Sequence, residues 1–396
     1  MKCTGFDATS GAFVELSGGT VLDSVEEQVA PPPAQGSFVA PGFIDIQVNG
    51  YAGADFCDPK TPLEAIDHAI EVLLSKGVTR FFPTVITNSP EEILGALRNL
   101  VKARRGLRRG RAMEAIHVEG PHISPFDGPR GAHPMAWVRP PSIDEFERWQ
   151  EAADGNIRLV TLSAEWPDAP RYIEHLAGQG VVVAIGHQQA TQEQIEMAVQ
   201  AGATLSTHLG NGAHQILPRH PNYLWQQLAE DRLAASLIAD GVHLGRDFLD
   251  VAIRAKGVER AVLITDAAMP TGCDPGNYRL GELEVTLHAA TPDRPSRITL
   301  RNQDRLAASA LSMDHGVENL MRLARLSLRD AITMATRNPA RVGRISGRKR
   351  GLQPGERSDV VEFSFDAKTK SIGILRTWLD GELVYQAEPR PQGSGA

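Results

Sequence analysis

Eight short apolar runs, spaced along the middle of this 396-residue chain, constrain its fold more than any other feature. They are GFIDIQV from Gly42, RFFPTVIT from Arg80, AIHVEG from Ala115, IRLVTLSAE from Ile157, VVVAIGH from Val181, TLSTHLGN from Thr204, AASLIADG from Ala234 and AVLITDA from Ala261. Amphipathic stretches sit between most of them. In TPLEAIDHAIEVLLSKG from Thr61, apolar residues recur at i, i+3 and i+4 and Gly77 is a stop signal. The thinnest link joins runs seven and eight, where only RDFLDVAIRAKG fills the helix. Repeated βα units predict an α/β fold, and eight of them favour a closed (β/α)8 barrel of the TIM type over an open sheet.

The two ends of the chain read differently. Residues 1–40 hold short strand-like pieces (GAFVEL, GGTVLD) and the stiff linker APPPAQG, without helical periodicity. Near the other end GLQPGERSDVVEFSFD and ILRTWLDGELVYQ are again β-like, with Asp380-Gly381 as a hairpin turn. Neither end is long enough to fold alone. Together, 1–40 plus 352–390 are expected to form a small β-sandwich domain beside a barrel spanning 41–351. Residues 271–310 (GELEVTL, SRITLR) read as a strand-bearing insertion after run eight.

Composition narrows the function classes. With 42% hydrophobic and 22% charged residues the chain has the balance of a globular protein. A net charge of -7, with no long basic run apart from the short RRGLRRGR at 104–111, argues against a nucleic-acid partner, and that stretch is expected to be a solvated loop. Three scattered cysteines, Cys3, Cys57 and Cys273, offer neither a disulfide framework nor a CxxC metal site, so a reduced, cytoplasmic setting is expected. MKCTGFDATSG lacks the apolar core of a signal peptide, and no run approaches the roughly 18 residues of a membrane span.

The chemistry is expected where the runs end, because the carboxyl ends of barrel strands carry the active residues of such folds. Run three ends in His117-Val118-Glu119, run five in His187, run six in His208, run seven in Asp240 with His243 just beyond, and run eight in Asp266. Glu119, His187 and His208 supply one carboxylate and two imidazoles, a set suited to a catalytic Zn2+ that keeps one position open; Fe2+, Mn2+ and Co2+ are alternatives. Asp266 is placed to take a proton from the attacking water and return it to the departing amine. An aspartate can also cap a helix, but AVLITDAAMPTG runs on into Pro and Gly.

Other histidines read as structural or ambiguous. His117 alternates with Glu119 and shares its strand face, which suits a packed, hydrogen-bonded role. His122 is left as a substrate contact or an extra ligand. His68 and His175 fall in helical patterns, His214 and His220 in the loop after run six, and His288 and His315 away from the strand ends.

These strand ends resemble the N-acetylglucosamine-6-phosphate deacetylase family of the amidohydrolase superfamily, from about Pro41 to Asp359. The likeness rests on PGFIDIQVNGYAGADF from Pro41, HVEGPHIS from His117, GAHP from Gly131, IGH from Ile185, THLGNGAH from Thr207, IADGVHL from Ile238, ITDAAMPTG from Ile264 and ATRNPARVG from Ala335. The resemblance implies Glu119, His187 and His208 as metal ligands and Asp266 as the acid-base group. It further implies His133 and His243 as substrate contacts, with Asn211, the Gly212 backbone and Arg219 near a sugar phosphate. A homodimer and a small amino-sugar substrate follow by the same analogy; that no nucleic-acid or membrane partner is expected follows from the charge and from the lack of a long apolar run.

Where many amidohydrolases carry an HxH pair this chain reads Gln47-Val48-Asn49, and at the end of strand four it reads Ser163-Ala164-Glu165 in place of a bridging lysine. One metal per chain is therefore expected, with Gln47 and Asn49 contacting water or lining the pocket. THLGNGAH, EGPH and LAAS depart from the family's usual THLxNAM-, EGPF- and LAGS-like motifs, which points to a divergent branch. The expected reaction is deacetylation of an N-acetyl amino-sugar phosphate. Two other readings stand beside it: an amidohydrolase for a different N-acyl or cyclic amide, and a barrel kept as a non-catalytic scaffold.

Overall fold

The structure is a computed structural model describing residues 1–28 and 37–388; the linker APPPAQG and the last residues of the expected terminal β unit lie outside the described residues. Eight parallel strands follow one another in chain order within one sheet: β1 (Phe43–Val48), β2 (Val78–Ile86), β3 (Ile116–Glu119), β4 (Ile157–Leu162), β5 (Val182–Ile185), β6 (Ala203–Ser206), β7 (Ala234–Ile238) and β8 (Ala261–Ile264). Each corresponds to one apolar run. The seam between β8 and β1 is joined at its carboxyl end, where the Asp266 N–H donates to the Gln47 carbonyl (3.0 Å) and the Asn49 N–H to the Ala267 carbonyl (2.8 Å).

Helices return the chain between strands: α1 (Leu63–Ser75), α2 (Pro90–Gly106), α3 (Ile143–Ala152), α4 (Ala169–Gly178), α5 (Gln192–Ala201), α6 (Tyr223–Ala229) and α7 (Arg246–Lys256), with α8 (Met313–Leu323), α9 (Leu328–Ala335) and α10 (Arg337–Val342) after β8. Their ends follow local chemistry. In α2 the Ser89 side chain accepts from the Glu92 N–H, Pro90 opens the first turn, and Arg104 and Arg105 face the negative end of the helix dipole. Its buried stripe, Ile93, Ala96, Leu97, Leu100 and Ala103, keeps helical spacing and packs into the large cluster that includes Val85 of β2.

Alternation along the strands sorts the two barrel faces. Ile44 and Ile46 of β1, Val182 and Ala184 of β5, and Val262 and Ile264 of β8 share one apolar cluster, while Phe43, Val183 and Leu263 join the cluster packed against the helices. On β3 the inward series begins at Ala115 and continues through His117 to Glu119, so the interior passes from apolar to ionisable toward the carboxyl end.

The chain ends meet in one mixed sheet of seven strands, in the order Glu382–Gln386, Ser371–Leu379, Val360–Asp366, Ser37–Pro41, Lys2–Asp7, Phe13–Gly18 and Leu22–Gln28. One set of its side chains (Cys3, Val14, Leu16, Leu22, Val39, Val360, Trp378) closes a cluster of its own, and another (Val361, Phe363, Ile372, Ile374, Leu379) packs with the barrel's outer core. The two chain ends thus form the expected small β domain, with a core of its own and one face packed on the barrel. Asp380 (φ 50°) and Gly381 (φ 77°) make the expected hairpin turn, and a Cβ on Gly381 would lie 2.0 Å from the Gly19 carbonyl oxygen.

The basic run at 104–111 is solvated in part, with Arg105 and Arg108 exposed, but it is not wholly a loop. It is the last turn of α2 and the bend after it, and its guanidinium groups reach across the fold: Arg109 to Asp67 (3.0 Å), Arg111 to Asp380 (3.2 Å), and Arg108 and Arg111 to Glu382. Beside it lies a buried ion cluster at the amino end of the barrel. Asp359 accepts from Arg80 (2.8 and 3.0 Å), Arg348 (2.5 Å) and the Asp380 N–H (2.8 Å). The two arginines outweigh burial and hold the Asp359 carboxyl at about 2.

Within 271–310, strands Gly276–Leu280, Leu283–His288, Arg297–Leu300 and Leu306–Ala308 form an antiparallel sheet with its own small core around Val285, Leu287 and Ile298. Arg305 of this sheet donates to the Gly131 carbonyl (3.2 Å), touching the loop that follows β3. Among the described residues no helix is long and apolar enough to cross a membrane.

Candidate active site

The barrel brings the strand-end residues together. Glu119 closes β3; His187, His208 and Asp266 each stand two residues beyond β5, β6 and β8. All three of the latter have left-handed backbones, with φ of 47°, 29° and 51°. A non-glycine residue is strained there by about 1–3 kcal/mol, and such strain persists only where the surroundings impose it.

Glu119 is the hub. Its Oε1 lies 2.8 Å from His208 Nε2, 3.5 Å from His187 Nε2 and 3.0 Å from Gln47 Nε2, which donates to it. Burial opposes ionisation of Glu119, but the hydrogen bonds to His187 and His208 win and hold its pKa well below the usual carboxylate range. His208 responds in the opposite sense: burial lowers its pKa, and the Glu119 contact raises it by more. A buried carboxylate with converging imidazoles is a site that a divalent cation stabilises.

Glu119, His133 and His187 each offer one ligand atom within 4.8 Å of one another. His133, expected as a substrate contact, therefore stands in the tightest trio, with its ring centroid 4.4 Å from that of His187; the His187 and His208 rings lie 4.7 Å apart. Two of these imidazoles have their second nitrogen engaged, as metal-bound histidines do. His187 Nδ1 meets the Pro129 carbonyl at 2.8 Å, and His133 Nδ1 meets Thr87 Oγ1 at 2.7 Å. His208 Nδ1 is buried without a hydrogen-bond partner. Desolvation pulls the His133 pKa down to about 3, which keeps that ring neutral and able to donate a lone pair. The donor set fits a divalent ion of the zinc type.

Glycines shape the wall beside His187. A Cβ at Gly212 (φ 57°) would sit 2.6 Å from His187 Nδ1, and one at Gly131 (φ 61°) 3.2 Å from its Cε1. The loops carrying Asn211 and His133 can approach the imidazole only through glycine.

Asp266 faces the hub across Gln47 and Asn49. Its Oδ1 accepts from Asn49 Nδ2 (2.8 Å) and Gln47 Nε2 (3.2 Å), so the Gln47 amide bridges both carboxylates. The β1–β2 register shifts between Asp45 and Val48, and a bulge of this kind re-aims a side chain such as Gln47. Burial and the Glu119 charge push the Asp266 pKa up to about 6.

The other expected residues divide. Asn211 donates its N–H to the His208 carbonyl (2.9 Å) beside the cluster, and half-buried His243 is gripped by Asp240 (Nδ1 to Oδ2, 2.6 Å). Arg219 is not brought to the cluster; it is exposed in the loop before α6. His122 is also elsewhere, which corrects its reading as an extra ligand or pocket contact: its ring stacks on Trp149 (5.3 Å) and its Nδ1 meets the Arg139 carbonyl (3.2 Å). His117 has the expected packed role, with Nε2 2.8 Å from Thr161 Oγ1.

Sequence reading passed over Thr87, the Pro129 carbonyl and the grip of Asp240 on His243. The position of Asp240 at the end of run seven was a usable signal for the last. Nothing in the sequence pairs Thr87 with His133, which come from different loops.

With this geometry in view, similarity to known proteins can be placed. Residues 38–384 match the Amidohydrolase family. The chain is 32% identical over 359 residues to the N-acetylglucosamine-6-phosphate deacetylase of Bacillus subtilis (strain 168), covering 90% of this chain and 87% of that one. It is 34% identical over 355 residues to the N-acetylgalactosamine-6-phosphate deacetylase of Shewanella sp. (strain ANA-3), covering 89% and 84%. Its fold matches an N-acetyl-D-glucosamine-6-phosphate deacetylase variant from Mycobacterium smegmatis, solved in complex with N-acetyl-D-glucosamine-6-phosphate, with a TM-score of 0.82 and 29% identity over 94% of each chain. A barrel whose rim gathers Glu119, the histidines and Asp266, and whose sequence aligns with these enzymes along nearly its whole length, belongs to the amidohydrolase superfamily and, within it, to the N-acetylglucosamine-6-phosphate deacetylase family.

Proposed function

We propose that this chain hydrolyses the acetamide of an N-acetyl amino-sugar phosphate, N-acetylglucosamine-6-phosphate or a close isomer, to acetate and the free amine. The observation that carries the reading is the buried Glu119–histidine cluster facing Asp266 across the Gln47 amide. Relatives named for both the gluco and galacto isomers lie at similar identity, so the proposal covers both.

Glu119, His187 and His208 would hold one divalent ion, with Zn2+ best suited and Fe2+, Mn2+ or Co2+ as alternatives. When bound, the ion supplies a Lewis acid that polarises the acetamide carbonyl and acidifies the attacking water. Asp266 receives the proton from that water and delivers it to the nitrogen as the C–N bond breaks. A base whose pKa is raised toward neutrality suits both halves of that transfer. Gln47 and Asn49 fix the Asp266 carboxylate toward the reacting centre. His133, His243, Asn211 and the Gly212 backbone line the sugar side, and Arg219 meets the phosphate in a homodimeric, cytoplasmic enzyme. Residues 41–351 form the catalytic unit, and 1–40 with 352–390 support it.

The tight trio of Glu119, His133 and His187 favours a second ligand set, with His133 in place of His208. Metal content of His133→Ala and His208→Ala separates the two: the true ligand is the one whose loss strips the ion. The activity itself is tested by acetate release from N-acetylated hexosamines with and without 6-phosphate in the presence of Zn2+. Release from the 6-phosphorylated sugars is expected, and none from any acetamido sugar overturns the proposal.

A further inference from the structure

One of the buried carboxyl groups that the mechanism above does not use lies at the flank of the candidate site. Asp45 of β1 is fully buried, and no basic side chain bonds it among the described residues. An uncompensated buried carboxyl is costly and is kept where its hydrogen bonds achieve something. All of its bonds run to the flanks of the candidate site. Oδ2 accepts from Thr265 Oγ1 (2.5 Å), and Oδ1 accepts from the Thr265 N–H (3.3 Å) and the Gln47 N–H (3.2 Å). Thr265 Oγ1 accepts in turn from the Ala267 N–H (3.2 Å).

Both chain neighbours of Asp266 are therefore tied to one carboxylate, directly or through one hydroxyl, while the Asp266 N–H is held by the Gln47 carbonyl. We propose that Asp45 is a positioning residue for Asp266, clamping through Thr265 the left-handed turn that aims the Asp266 carboxylate at the Gln47 and Asn49 amides. The clamp accounts for the strained φ of 51°, since a turn of that kind must be imposed from outside. It also explains a charge-capable group at a seam already joined by backbone hydrogen bonds, where an apolar side chain would close the wall at lower cost. Among the described residues Asp45 bonds only Thr265 and Gln47, and it acts through the geometry of these neighbours.

The inference rests on the deacetylase reading, and its test is built to fail separately. In the full chain loaded with Zn2+, Asp45→Asn is expected to lower kcat on N-acetylglucosamine-6-phosphate about 10- to 100-fold, the cost of a misplaced reacting group, with KM and metal content unchanged. In an Asp266→Asn background the same substitution is expected to cost less than about 2-fold, because residues acting as one unit are non-additive. Equal losses in both backgrounds, or full turnover in Asp45→Asn, overturn the proposal. Thr265→Val carries the test if Asp45→Asn does not fold: turnover is expected to fall likewise, and Thr265→Ser to restore most of it. If the unaltered chain releases no acetate, the functional reading alone has failed. Crystal structures of Asp45→Asn or Thr265→Val then decide the clamp, which is overturned if the Asp266 carboxylate keeps its contacts with Gln47 and Asn49.

Discussion

The barrel carries two buried clusters of charge, one at each end, and they are built on opposite terms. At the amino end, Asp359 is saturated: two arginines and a backbone N–H bind its oxygens, and Arg348 also reaches Thr79 Oγ1 (3.2 Å) and the Gly42 carbonyl. At the carboxyl end the cluster is undersupplied. Glu119 serves two histidines and an amide through a single oxygen, while His208 Nδ1 and Asn49 Oδ1 are buried with no hydrogen-bond partner. A saturated cluster fastens the fold, whereas unspent donors and acceptors in an enclosed place are held ready for something that binds.

The sharpest way to break this contrast is to take ligands from the carboxyl end. His187→Ala is expected to strip the tightly held ion and bring acetate release to background, with the fold intact by circular dichroism; full metal content in this variant removes His187 from the ligand set. Asp266→Asn comes next: it should keep the ion and the substrate KM but lose at least ~10²-fold in kcat, as expected for a lost acid-base group. Near-normal turnover would assign the proton transfer to another residue.

At the amino end the expected damage is to stability and not to turnover. Asp359→Asn leaves Arg348 buried without its counter-charge and Arg80 with only Asp380 and Glu114, and is expected to cost about 3–5 kcal/mol, read as a lower midpoint in denaturant with kcat per folded molecule unchanged. The same pair predicts a pH window. The folded pKa of Asp359, at about 2, lies below its ordinary value of 3.8, so its stabilisation is present above pH 4 and is lost as pH falls through the interval between them. Of the order of 2–3 kcal/mol should disappear there, and an Asp359→Asn protein whose acid unfolding is as steep as the parent's would remove Asp359 from that role. The smallest expected effect is at Arg219, which stands apart from both clusters. Arg219→Met should raise KM for a 6-phosphorylated substrate and leave unphosphorylated sugar nearly untouched, because only uniform binding is lost; equal losses on both would show a structural role.

What could be read from sequence follows how local each signal is. The eight barrel strands were legible because apolar runs and amphipathic helices alternate within a few residues of one another. Glu119, His187, His208 and Asp266 were legible because each ends such a run. The strand Lys2–Asp7 was not singled out, since KCTGFD mixes polar residues and glycine and its place depends on pairing with Ser37–Pro41 and Phe13–Gly18. The ion pairs of Arg108 and Arg111 were not legible because their partner Glu382 is more than 270 residues away in the chain. The His133–Thr87 pair and the Asp45–Thr265 bond share that obscurity: the first joins the loops after neighbouring strands β2 and β3, the second bridges the β1–β8 seam, and in each case the partners are far apart in the chain.

The left-handed turns at His187, His208 and Asp266 also set a direction for the protein under selection. Each position asks for glycine or asparagine on backbone grounds and holds something else on chemical grounds. A population of variants kept only for resistance to heat would be rewarded for giving up these three side chains early, relaxing the backbone and losing the reaction together. Stability and activity are in competition at the same three residues, so a screen that improves one must measure the other.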